Sequence, residues 1–163
     1  MKLLFPSSLI ALVVLTCSAA PQPSLAALGA DDTRSKVLAE KARVFNTLAK
    51  DFLAISKAQR KDLPNFETAL NLAATTTRTS DYLFAASSLL FVYDNISSRT
   101  DRKMISPFIM ETLESYAKSL ELSAEEANLL AAYTDIPGIA TSAVRLKDEI
   151  RASVVLLRSI NLR

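Results

Sequence analysis

From residue 31 onward the chain holds a single glycine, Gly138, and its prolines fall at Pro64, Pro107 and Pro137. Asn-Gly and Asp-Gly, the dipeptides on which two-residue hairpins are built, occur nowhere in it. A sheet of several strands needs such turns, whereas a bundle of helices needs only a few breaks. Between the breaks, apolar residues return at three- and four-residue steps, the period of one helix face. The pattern predicts an all-α fold, a compact antiparallel bundle of four to five helices joined by short connections.

The first helix is expected over residues 33–58, with Asp31 or Asp32 as its cap and Val37, Leu38, Ala42, Phe45, Leu48, Phe52 and Ile55 on one stripe. The second is expected over 65–96. Its early apolar residues are Phe66, Leu70, Ala73 and Ala74; its later ones are Tyr82, Ala85, Ala86, Leu89, Val92, Tyr93 and Ile96. Leu83, Phe84, Leu90 and Phe91 spread the later surface almost all round, which predicts burial at the bundle centre. The β-branched run Thr75-Thr76-Thr77, followed by Ser80-Asp81 as a fresh cap, predicts a kink or break near 76–81.

A third helix, 100–120, would face inward with Ile105, Phe108, Ile109, Leu113, Tyr116 and Leu120. Pro107 either kinks it or, behind Ser106 as cap, opens a shorter helix. Ser123-Ala124-Glu125-Glu126 reads as a capping box that starts a separate short helix ending near 133. After Asp135-Ile136-Pro137-Gly138 a last helix runs to about 160, its inner face Ile139, Ala143, Leu146, Ile150, Val154, Leu157 and Ile160. Arg145 and Glu149 stand at i,i+4 on it, the spacing of a helical ion pair.

The opening residues read differently. Lys2, the apolar run Leu9–Leu15 and a small-residue tail have the parts of a secretory signal peptide, too short to span a bilayer. Residues 1–26 are therefore expected to be a cleavable signal peptide, cut between about 26 and 30. Residues 27–32 form a short disordered lead, and 33–163 a single helical-bundle domain. Cys17 follows Val14 and Thr16, a poor match to a lipidation site; only its lipidation would bring the chain to a membrane. The expected location is periplasmic or secreted.

Composition narrows the chemistry. The chain has no histidine and no tryptophan, and its one cysteine lies in the leader. The mature part thus lacks the side chains that most often carry metal, redox or nucleophile–base chemistry. Without Lys2, it holds one basic side chain fewer than the 19 of the whole, against 17 acidic ones, too even a balance for nucleic-acid binding. Ser115-Tyr116-Ala117-Lys118 matches the Ser-x-x-Lys pattern of penicillin-binding enzymes. It falls deep within a helix, and the chain has no Lys-Thr-Gly or Ser-Asp-Asn, so the match is accidental. Glu111 and Glu114, like Glu121 and Glu125, are one turn apart but lack the histidines of helical di-iron sites. No catalytic, cofactor-binding or metal-binding residue is assigned.

Two basic clusters stand out. Arg99, Arg102 and Lys103 open the third helix, the end where cations are unfavourable, and Lys57, Arg60 and Lys61 close the first. Charge matching within the molecule would pair the former with Asp31 and Asp32, and the latter with Glu121, Glu125 and Glu126. Alternatively, the clusters form a docking patch for an acidic partner. The sequence as a whole reads as an exported, non-catalytic bundle that binds another protein, as adaptor, chaperone or immunity module. A carboxylate-dependent hydrolase of the cell envelope and a lipid-carrying bundle are the alternatives.

Overall fold

The computed structural model describes residues 34–162; the expected signal peptide with Cys17, the expected lead segment and the cap candidates Asp31 and Asp32 lie outside them. The described residues form α1 (Arg34–Ala58), α2 (Leu63–Asp94), α3 (Arg99–Ala132) and α4 (Pro137–Arg158), with no strand among them. Asp62 caps α2 by accepting from the Asn65 amide, and Ser98 caps α3 by accepting from the Asp101 amide at 3.2 Å. Pro137 begins α4, where its missing N–H costs nothing.

Pairings between neighbours fix the topology. Ser80 and Ser87 of α2 donate to the carbonyls of Ala42 and Ser35 in α1. The Tyr82 and Tyr116 rings meet at a tilt, 5.4 Å between centroids, and Arg78 meets Glu126, across α2 and α3. Arg151 meets Glu125, and Arg158 meets Glu114, across α3 and α4. Lys41 meets Glu149, tying α4 back to α1. In every pair the numbering rises along one helix as it falls along the other, so the helices run up, down, up and down.

The core is filled by Leu38, Phe45, Leu72, Leu83, Leu90, Leu113, Leu120, Ile150 and Leu157, all fully buried. Each contributes about 1.5–3 kcal/mol relative to exposure in water. All seven inner positions expected of α4 are buried. Between α1 and α2 the buried side chains include Ala42, Ala49, Ala69, Ala73, Thr76, Ser80 and Ser87, small enough for close backbone approach. That approach puts two serine hydroxyls within reach of carbonyls on the neighbouring helix.

Three expectations are corrected. First, α2 has no break at 76–81, being one helix from Leu63 to Asp94. Thr75, Thr76, Thr77 and Thr79 each turn a hydroxyl back to the carbonyl four residues earlier, and three of them are fully buried. Packing of the β-branched carbons thus outweighs their low helix propensity. Ser80 bonds across to α1 instead of capping a new start.

Second, the third helix and the short one after it are a single α3. Pro107 sits inside it, and Lys103, whose carbonyl loses its usual donor, is exposed to water. Ser106 donates to the Leu162 carbonyl, and Ser123 donates back to Ser119, so neither hydroxyl caps. Third, the apolar surface of α2 is not buried all round, because Phe84, Phe91 and Val92 are exposed. Phe108 likewise faces water, since one residue's step of about 100° carries it off the face that buries Ile109.

Candidate protein-binding surface

The cluster at the start of α3 divides into two parts. Arg102 folds onto the α2–α3 turn, donating from Nε to the Ile96 carbonyl and from Nη2 to the Asp94 carbonyl at 3.2 Å. Its guanidinium lies at the negative pole of α2, which offsets its unfavourable place at the start of α3. Arg102 is therefore a clamp of the turn. Arg99 and Lys103 beside it are exposed, and Lys57, Arg60 and Lys61 are exposed at the opposite end of the bundle.

The glutamates expected to match Lys57, Arg60 and Lys61 are engaged elsewhere. Glu121 pairs with Arg158, Glu125 with Arg151 and Glu126 with Arg78. A helix starting at Ser123 would place these carboxylates at a bundle end; the continuous α3 carries them along its body.

There Glu121 and Glu125 edge a groove of about 390 Å³ between α3 and α4, lined also by Arg151, Val154, Val155 and Arg158. Arg158 forks between two carboxylates, at 2.9 Å from Glu114 and 2.6 Å from Glu121. The hydrogen bond from Arg158 holds the Glu114 carboxyl below its usual range, and the two glutamates hold Arg158 above its own. A general acid in a glycosidase needs a carboxyl raised toward neutrality. Glu114 is shifted the other way, and Arg158 clasps it and Glu121 in ion pairs across α3 and α4.

The larger exposed feature lies on α3. Met104, Phe108, Leu122, Leu129 and Tyr133 follow one another near heptad spacing and are 59–74% exposed. Glu111, Ser115 and Lys118 occupy the middle of the same stripe and are also exposed. Behind them, Ile109, Leu113, Ala117, Leu120, Ala124 and Ala127 form the buried stripe. Near the turn Phe91 and Val92 of α2 are exposed as well. The Tyr82–Tyr116 register brings Val92 level with Phe108. Arg99 and Lys103 flank this end, completing a mixture of aromatic, methionine and arginine side chains that is enriched at protein interfaces.

The sequence reading placed the inner stripe of α3 correctly at Ile105, Ile109, Leu113, Tyr116 and Leu120, but it counted Phe108 with that stripe and did not single out the outer one. No described helix is long and apolar enough to cross a membrane, and no group of metal-ligating side chains occurs among the described residues. No protein-family model, curated protein or solved structure matches the chain.

Proposed function

We propose that this is an exported, non-catalytic helical bundle that binds another protein through the outward face of α3 and the adjoining end of α2. The observation that carries the reading is the second apolar stripe of α3. Single exposed apolar residues are ordinary on any surface. Here two exposed apolar groups, Met104 with Phe108 and Leu122 with Leu129 and the capping Tyr133, share the face opposite a complete buried stripe, with Glu111, Ser115 and Lys118 between them. Exposed apolar groups rimmed by polar side chains mark interaction sites. From Met104 to Tyr133 the stripe is about 44 Å long at the usual helical rise.

Rigidity supports the same reading. The stripe lies on an unbroken helix whose inner face is packed and whose first turn is clamped by Arg102, so little order must be gained on binding. Arg99 and Lys103 supply a basic rim for acidic groups on the partner.

Site-specific photo-cross-linking tests the proposal. A photoreactive side chain at Phe108 or Leu129, in the full chain expressed in its native cell, is expected to give a discrete protein adduct. The same group at Asn46, exposed on α1, is expected to give none. Equal labelling at all three positions, or none at Phe108 and Leu129, would overturn the surface assignment. Turnover of a cell-wall or lipid substrate abolished by Glu121→Gln would overturn the non-catalytic one.

A further inference from the structure

The order of side chains along the α3 stripe has a two-fold character centred on Ser115. Seven residues before Ser115 stands Phe108, and seven after it stands Leu122. Four before it is Glu111 and three after it is Lys118, carrying opposite charges. At the centre is a small hydroxyl side chain. All five are exposed.

We infer that the partner of this face is a second copy of the same chain, docked antiparallel through α3 with the two-fold axis at Ser115. The inference rests on the protein-binding reading above and names its occupant. In an isologous interface every contact occurs twice, so a self-complementary stripe satisfies itself. With Ser115 facing Ser115, Phe108 lies level with Leu122 of the second copy and Glu111 with Lys118 of the second copy, and both contacts recur on the other side of the axis.

Charge selects this register from the alternatives. Sliding the axis half a heptad toward the C-terminus would also pair apolar residues, Phe108 with Leu129 and Met104 with Tyr133. It would, however, set Glu111 against Glu126, like charges on one seam. Within its own chain Glu111 makes no ion pair among the described residues, whereas Glu126 is held by Arg78. The central serine lets the two backbones approach closely.

The size of the face fixes the strength. In this register residues 104–126 overlap, a stretch about 33 Å long that at about 10 Å wide covers roughly 330 Å² per copy, well under the roughly 800 Å² per partner of a stable complex. The dimer is accordingly weak and concentration-dependent.

Sedimentation equilibrium of the full chain over a wide concentration range tests this. The mass is expected to rise from that of one chain toward that of two. Glu111→Lys alone, which opposes lysine to lysine twice, should weaken association about tenfold or more. Lys118→Glu alone should do the same, and the double reversal should restore association to within about threefold. Both sites are exposed, so circular dichroism and melting temperature of all three variants should stay close to those of the parent chain.

A second measurement reads the axis. In a Cys17→Ser background, Ser115→Cys should form a disulfide-linked dimer under mild oxidation. Glu111→Cys should not, because two such positions are offset by about 12 Å along the helices. A single-chain mass at every concentration, or a dimer indifferent to the charge reversals, would overturn the second copy as occupant. If the single-chain species still cross-links a different protein at Phe108, the binding surface stands without the dimer; with neither dimer nor adduct, both readings fall.

Discussion

One amide side chain holds two turns of the bundle together. Asn65 is buried, and its Nδ2 donates to Asp62 and to Asp135, each at 2.7 Å, while its Oδ1 accepts from Thr134 at 2.6 Å. The α1–α2 turn and the α3–α4 turn thereby share a set of hydrogen bonds in which both amide hydrogens go to carboxylates. Removing the amide leaves the Thr134 hydroxyl with only the Ile136 amide as partner and the Asp62 and Asp135 carboxylates without the donor between them. Asn65→Ala should therefore cost about 2 kcal/mol in urea denaturation, the penalty of unmade buried hydrogen bonds. Asn65→Asp keeps the shape but puts a third carboxylate between two others. Its penalty should be as large at neutral pH and should shrink under acid, as that crowded carboxyl takes up a proton. Arg102 acts by the same logic at the other end of the molecule, where it closes two carbonyls of the α2–α3 turn.

Among the elements, α2 offers the sharpest test of continuity. Thr77 is exposed in the middle of the threonine run and bonds only to the Ala73 carbonyl of its own helix, at 2.9 Å. In a continuous helix Thr77→Ala should gain about 0.5 kcal/mol through propensity, and Thr77→Pro should lose about 3 kcal/mol or more, both measured by chemical denaturation. A broken chain there would tolerate the proline. The run misleads a sequence reading because propensity is local, while Thr75, Thr76 and Thr79 are paid back by burial against other helices. α1 and α4 were legible, since each carries one apolar stripe between clear stops. α3 was legible in period and in phase except at Phe108, assigned inward beside Ile109, and its continuity was missed because its cap-like serines found acceptors elsewhere. The basic clusters could be read as charge runs. That Arg102 clamps a turn depends on carbonyls the sequence does not point to, and the exposed stripe emerges only once the buried one is known.

Across the whole molecule, ion pairs run around the outside of the bundle, from Lys41–Glu149 through Arg78–Glu126 and Arg151–Glu125 to the Arg158 fork. Exposed pairs of this kind add little stability one by one. Their larger use is register: alanine-rich stripes can slide by a turn at modest cost, whereas opposite charges reward one alignment. The Arg158 fork also makes a pH signature. Glu114 has its folded-state pKa lowered from 4.5, chiefly by the hydrogen bond from Arg158, while Arg158 itself is raised and stays charged throughout. A carboxyl with a depressed folded-state value stabilises the fold above its unfolded value and loses that contribution as pH falls through the folded one. The melting temperature of Arg158→Gln should accordingly lie below that of the parent chain by a constant margin above about pH 5.5, and the margin should close as pH falls further below about 4.5. Added salt at neutral pH should narrow it as well, because the groove is open to solvent. A margin unchanged between about pH 3 and pH 7 would mean that Arg158 acts through its aliphatic stem over Val154 and Val155, and that packing rather than charge holds α4 to α3 at this end.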